Sequence, residues 1–196
     1  MKKILFLLLL TFSLSNAFSQ SKKGDAFGLK AGINLSSIKA SDGTTSQSTS
    51  NATNFNIGVY GTFSLNKTLL LQPEFFINGE GGTDDGTTFN LTYINLPILL
   101  KYNVKNTGLS FIGGPQLGFL MSAKINEDGD VTDVKSQFKT TQLSGILGVQ
   151  YTSQSGFGID FRNQFSLSKV FTQTISSTQY SLRSNLISFG VFYRIK

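Results

Sequence analysis

Apolar residues return at every second position through eight separate runs of this chain, and a period of two commits those runs to β-strands. The runs cover 27–36, 55–65, 69–78, 93–102, 109–122, 142–151, 157–167 and 187–195. In the first, Phe27, Leu29, Ala31, Ile33 and Leu35 alternate with Gly28, Lys30, Gly32, Asn34 and Ser36. In the last, Ile187, Phe189, Val191, Tyr193 and Ile195 alternate with Ser188, Gly190, Phe192 and Arg194. The connections alternate too. Those at 66–68, 103–108 and 153–156 are short, whereas 37–53, 79–90, 123–139 and 168–182 are long and rich in Ser, Thr, Gly and Asp. A barrel that crosses a bilayer has this asymmetry, with tight turns at one end and long loops at the other. Eight runs of this length, each long enough for a tilted crossing, use up the chain after its first residues.

Which face is wet decides the class. Lys30, Glu74, Lys101, Asp160, Arg162 and Arg194 all fall on the polar face of their runs, and no run places a charge on the apolar face. A soluble lipocalin-like barrel would turn its apolar residues inward. Here the apolar set is too bulky for the interior of a narrow eight-stranded barrel, while the Gly-, Ser-, Asn- and Gln-rich set suits it. The expected fold is therefore all-β: an eight-stranded antiparallel up-and-down transmembrane β-barrel. The inner charges are expected to form a lumen network, since buried ions need partners. Glu74 with Lys101, and Asp160 or Arg162 with Arg194, lie on neighbouring strands; Arg194 also lies beside Lys30. Phe63, Tyr102, Tyr151, Phe157 and Tyr193 share the apolar face near the short turns or the C-terminus, where a periplasmic aromatic girdle belongs. Pro73, Pro97 and Pro115 lie inside runs and each lacks a ladder donor, so bulges are expected there.

The first nineteen residues stand apart. Lys2 and Lys3 precede an apolar stretch from Ile4 to Leu14, followed by Ala17-Phe18-Ser19 with small residues at both cleavage-determining positions. This pattern predicts a signal peptide over 1–19, cut after Ser19, with the barrel domain occupying 20–196. The stretch is too short for a spanning helix. With no Cys in the chain, a lipid anchor on a leading cysteine is excluded, as are disulfides and thiol chemistry. The net charge of +6 is spread along the chain rather than clustered, which argues against a nucleic-acid partner.

Several short motifs occur in order: Phe27-Gly28-Leu29-Lys30-Ala31-Gly32-Ile33-Asn34, Leu71-Gln72-Pro73-Glu74, Tyr93-Ile94-Asn95-Leu96-Pro97-Ile98-Leu99-Leu100-Lys101-Tyr102 and Gly113-Gly114-Pro115-Gln116-Leu117-Gly118. In these the chain resembles the small outer-membrane β-barrel family abundant in Bacteroidota that includes PorT-like proteins. The resemblance implies an outer-membrane location, contact with outer-membrane lipid, insertion by the barrel-assembly machinery, and an envelope or secretion protein as a partner. Two departures stand out: Phe192 and Tyr193 are followed by Arg194-Ile195-Lys196 instead of ending the chain, and Asn95 replaces the family's usual carboxylate.

Catalytic chemistry finds no foothold. The chain has no His, which outer-membrane lipid A acyltransferases, deacylases and phospholipases of similar architecture use. No Ser/Lys or paired-carboxylate constellation stands out, and no cofactor or metal is expected. The acidic stretch Asn126-Glu127-Asp128-Gly129-Asp130 with Asp133 does not have the EF-hand spacing and reads as a solvated turn. The expected role is a non-enzymatic structural, adhesion or interaction function through the outer loops. The alternatives are an accessory component of a protein secretion or transport assembly and a soluble lipocalin-like binding barrel.

Overall fold

The computed structural model describes residues 25–41, 46–48, 50–84, 87–127, 129–168, 171–175 and 178–195. The leader expected at 1–19 and Asp128 lie outside them. The strands are β1 (Ala26–Ser41), β2 (Ser46–Ser48), β3 (Ser50–Ser64), β4 (Leu69–Asp84), β5 (Thr87–Asn103), β6 (Leu109–Glu127), β7 (Asp130–Asp133), β8 (Thr141–Thr152), β9 (Phe157–Ser166), β10 (Phe171–Ile175) and β11 (Thr178–Ile195). Eight long strands, β1, β3, β4, β5, β6, β8, β9 and β11, pair antiparallel with their sequence neighbours. β11 returns to β1 from Phe27↔Ile195 to Ser41↔Ser181, which closes the barrel. The short strands β2, β7 and β10 pair onto β1, β6 and β11 at one end.

The period-two pattern lands as the sequence requires. Ile57, Leu147, Ile159 and Val191 are each at least 60% exposed on the outer surface, while Lys30, Asn34, Gln72, Glu74 and Asp160 are buried inside. An apolar exterior around a polar interior is the inverse of a water-soluble barrel and sets the lipocalin-like alternative aside. Closure also removes the free sheet edges that would otherwise invite aggregation.

The two ends differ in how their turns are made. At the turn end, Asn66 accepts the amides of Thr68 and Leu69 at 2.9 Å each, an Asx turn that fixes the β3–β4 connection. Asn106 (φ 62°) and Gly108 (φ 75°) take left-handed conformations to reverse β5 into β6. At the hairpin end, the stretches expected as long loops are largely strand. β4 and β5 stay paired out to Asp84↔Thr87, and β6 and β7 out to Glu127↔Asp130. Polar Ser/Thr/Gly stretches carry no apolar period, so a hydrophobicity pattern does not reveal their extension. Their backbone groups are satisfied by continuing the ladder.

The prolines do not make bulges. Register shifts occur at Asn51/Asn56 and at Thr92/Tyr93, neither of which is at a proline. Instead each proline interrupts pairing with the preceding strand and the register resumes unchanged: Tyr60↔Glu74 then Phe63↔Leu71 around Pro73, Pro73↔Ile98 then Phe76↔Asn95 around Pro97, and Pro97↔Gln116 then Leu100↔Gly113 around Pro115. The cost is a few ladder bonds. Of the two shifts, the one at Met121 reverses the phase of β6, so that Leu120 and Ala123 are both buried.

Candidate functional site

The lumen is built in layers, and its space is set by glycines. Three inward aromatics each lie opposite a glycine of the adjacent strand: Tyr60 opposite Gly28, Phe76 opposite Gly58, and Phe192 opposite Gly158. A Cβ on any of these glycines would sit 2.1–2.7 Å from an atom of the facing ring. Pairing large with small residues lets a narrow barrel hold rings and charges together.

Mid-lumen, four charged side chains form a chain. The Arg162 guanidinium reaches Glu74 through Nη1 to Oε2 (2.5 Å) and Nη2 to Oε1 (2.7 Å), and its Nε donates to both Asp160 oxygens at 2.9 Å. Lys30 pairs with Asp160 from the other side. Gln150 donates to Asp160 and Gln72 to Glu74, completing the carboxylate partners. Lys30 and Arg162 also lie over the Phe76 ring at 5.5 and 5.7 Å. All four are buried, and each lies against an opposite charge of the chain.

Toward the hairpin end an amide network follows. Asn56 donates to Asn34, Asn34 to Asn78, and Asn78 to Glu80, while Gln116 donates to Gln164 and Gln164 to Glu80. The cavity among these groups and the ion chain has a volume of about 30 Å³, room for about one water. Above it, Val134 and Phe138 fold onto Leu91, Tyr93, Leu120 and Ala123 as an apolar cap. The Val134 amide donates to the Ala123 carbonyl, and the Leu120 amide to the Thr140 carbonyl, which tie this segment to β6.

Lys101 and Arg194 do not join the ion chain. Glu74 pairs with Arg162 across the barrel rather than with Lys101 on the neighbouring strand, and neither Asp160 nor Arg162 pairs with Arg194. A layer of Tyr60 and Phe192, packed edge to face at 5.7 Å, lies next to them. Lys101 Nζ sits 5.8 Å from the Phe192 ring centre. Both cations instead line a recess of about 380 Å³ at the turn end. Adjacency along the sheet misjudges these partners because closure brings β4 and β9, four strands apart in the sheet order, face to face.

Tyr102, Tyr151, Phe157 and Tyr193 are exposed and Phe63 is half-buried, all on or next to the turn end. The Phe157 and Tyr193 rings lie 4.8 Å apart, and Phe63 meets Phe27 edge to face at 6.1 Å. Glu80 escapes a reading of the sequence that treats 79–90 as a loop. Extending the run's alternation by one step, from Asn78, is the signal that finds it. Asn95 is buried and lines the small cavity beside Arg162 and Gln164. Among the described residues no group of His, Cys, Asp and Glu is arranged to hold a metal ion.

Residues 18–172 match the family model described as an outer membrane protein beta-barrel domain. The chain is similar in structure to the attachment invasion locus protein Ail of Yersinia pestis (TM-score 0.54, 18% identity, covering 89% of this chain and 100% of that one). It is likewise similar to Neisserial surface protein A (TM-score 0.55, 18% identity, covering 88% and 100%). At this identity the likeness concerns the fold. No curated protein sequence matches the chain.

Proposed function

Because this chain belongs to the outer membrane protein beta-barrel domain family, we propose that it is a non-enzymatic outer-membrane barrel acting through its long hairpins as an adhesion or interaction surface. The observation that carries this reading is the filled lumen. The Lys30–Asp160–Arg162–Glu74 chain spans the interior, and the cavity beside it is about 30 Å³. An interior occupied by its own side chains serves as a strut and leaves contact with other molecules to the ends. In this reading the signal peptide over 1–19 is removed, and the turn end faces the periplasm. Phe63, Tyr102, Tyr151, Phe157 and Tyr193 form the inner aromatic girdle there, and Lys30, Glu74, Asp160 and Arg162 act as a structural plug. The hairpin end then faces outward, with polar ladders rising beyond the apolar belt. An attachment invasion locus protein has a similar fold, which agrees with a role at the cell surface.

The test is a chain in which both arms of the β6–β7 hairpin, 121–139, are replaced by a two-residue turn joining Leu120 to Thr140, which already face each other, expressed in cells lacking the native protein. Heat-dependent gel mobility would verify that the barrel still forms. Loss of cell binding to surfaces, with protein export intact, is the expected result. Intact surface binding together with loss of exported cargo in the full deletion would overturn this reading and favour a PorT-like accessory of a secretion assembly.

A further inference from the structure

We infer that the recess at the turn end is a binding site for a phosphate-type oxyanion. Its lining brings together Lys67, Lys101, Lys105 and Arg194, and it includes no Asp or Glu among the described residues. Lys101 is 7% exposed, makes no ion pair among the described residues, and has the Phe192 ring beneath its ammonium. Arg194 Nε is buried without a hydrogen-bond partner among the described residues. The Lys101 ammonium thus faces a recess whose lining offers no carboxylate among the described residues, an arrangement that favours a bound anion. The carboxylates of the lumen act on Lys101 only through space, since Glu74 and Asp160 pair directly with Arg162 and Lys30.

The geometry selects the ligand class. A recess of about 380 Å³ is large enough for a small oxyanion with some of its water. Tetrahedral oxygens can accept from a guanidinium fork and an ammonium at once, and such charge-assisted bonds are the strong ones. The Tyr60–Phe192 layer gives the recess an apolar wall, which lowers the local dielectric and strengthens each contact. Lys67 and Lys105 stand on the exposed turns at the mouth and would draw anions toward it. Phosphate of this kind reaches the site either free in solution or on a lipid headgroup. Only the side from which it enters depends on the orientation proposed above; the site itself does not.

The experiment is a titration of the refolded protein in maltoside micelles with inorganic phosphate, read from amide shifts at Ser110 and Arg194. Saturable shifts are expected, weakened about ten-fold or more in Arg194→Gln and Lys101→Gln and also in Lys105→Gln. Lys105 is on an exposed turn, so that variant keeps the test valid if a lumen substitution prevents folding. Lys124→Gln, on the hairpin end, should bind as the parent does. Repeating the titration in phosphatidylglycerol vesicles separates the sources: unchanged binding identifies the free anion, and a site already occupied identifies the lipid phosphate. Absence of saturable shifts in micelles together with an unoccupied site in vesicles would overturn the proposal, as would equal weakening by Lys124→Gln.

Discussion

Replacing Arg162 with Met removes the centre of the ion chain while preserving most of its volume. Four contacts disappear, two to Glu74 and two to Asp160. The two carboxylates are not left in the same state. Asp160 keeps Lys30 and the Gln150 amide, whereas Glu74 keeps only the Gln72 amide. One buried carboxylate is therefore left uncompensated, and orphaning a buried ion typically costs about 3–5 kcal/mol. Glu74→Gln is milder, about 1–3 kcal/mol, because Arg162 retains Asp160. In the double variant no carboxylate is orphaned at that position, so its loss should fall short of the sum by about 1–3 kcal/mol. The chain has no Trp, so urea unfolding in lipid vesicles is best followed by far-ultraviolet circular dichroism and heat-dependent gel mobility. An Arg162→Met variant within about 0.5 kcal/mol of the parent, or strict additivity in the double variant, would show that Arg162 does not hold the two carboxylates together.

Three further outcomes follow from the same structure. Val191→Arg, in the middle of the outer apolar face and 62% exposed, should destabilise the barrel in vesicles by about 2–4 kcal/mol, as read from urea midpoints; Val131→Arg on the hairpin end should be near neutral. Gly158→Ala places a methyl 2.1 Å from Phe192 and 2.5 Å from the Tyr151 carbonyl, which should cost about 1–3 kcal/mol by overpacking, with Phe192→Leu in the same chain restoring part of it. Phe138→Ala should loosen the apolar cap locally: faster hydrogen exchange at the Val134 and Leu120 amides with the exchange of mid-barrel amides unchanged.

The resemblance to an outer-membrane family and the eight-run alternation agree with the structure at the level of fold, and the reasons differ from element to element. Run three is irregular as a sequence because Leu70 and Phe76 fall on its polar face, yet both are buried in the lumen. Phe76 is there because Gly58 opposite leaves room for its ring and because two cations lie over it. The strand extensions at the hairpin end pass for loops in the sequence because their few buried apolar residues, Leu91, Ala123, Val134 and Phe138, are set among polar ones and give no sustained period. The prolines suggest bulges because the sequence identifies a missing donor, whereas only the ladder reveals that its register carries straight through.

The period of two in the sequence was enough for the number of barrel strands, for the side to which the residues of the eight runs point up to the bulge at Met121, and for the location of their charges on the inner face. Those properties follow from a backbone whose side chains alternate with a period of two, whatever the strands pair with. The tertiary structure alone decided which charges meet. Glu74 and Arg162 are 88 residues apart and become partners only because closure turns distant strands toward a common axis. The same closure stacks Tyr60 and Phe192 beside Lys101 and Arg194, leaving two cations of the lumen wall without a carboxylate among the described residues. Contact across a lumen depends on circumference, tilt and register together, and none of these is written in the neighbours of a single residue.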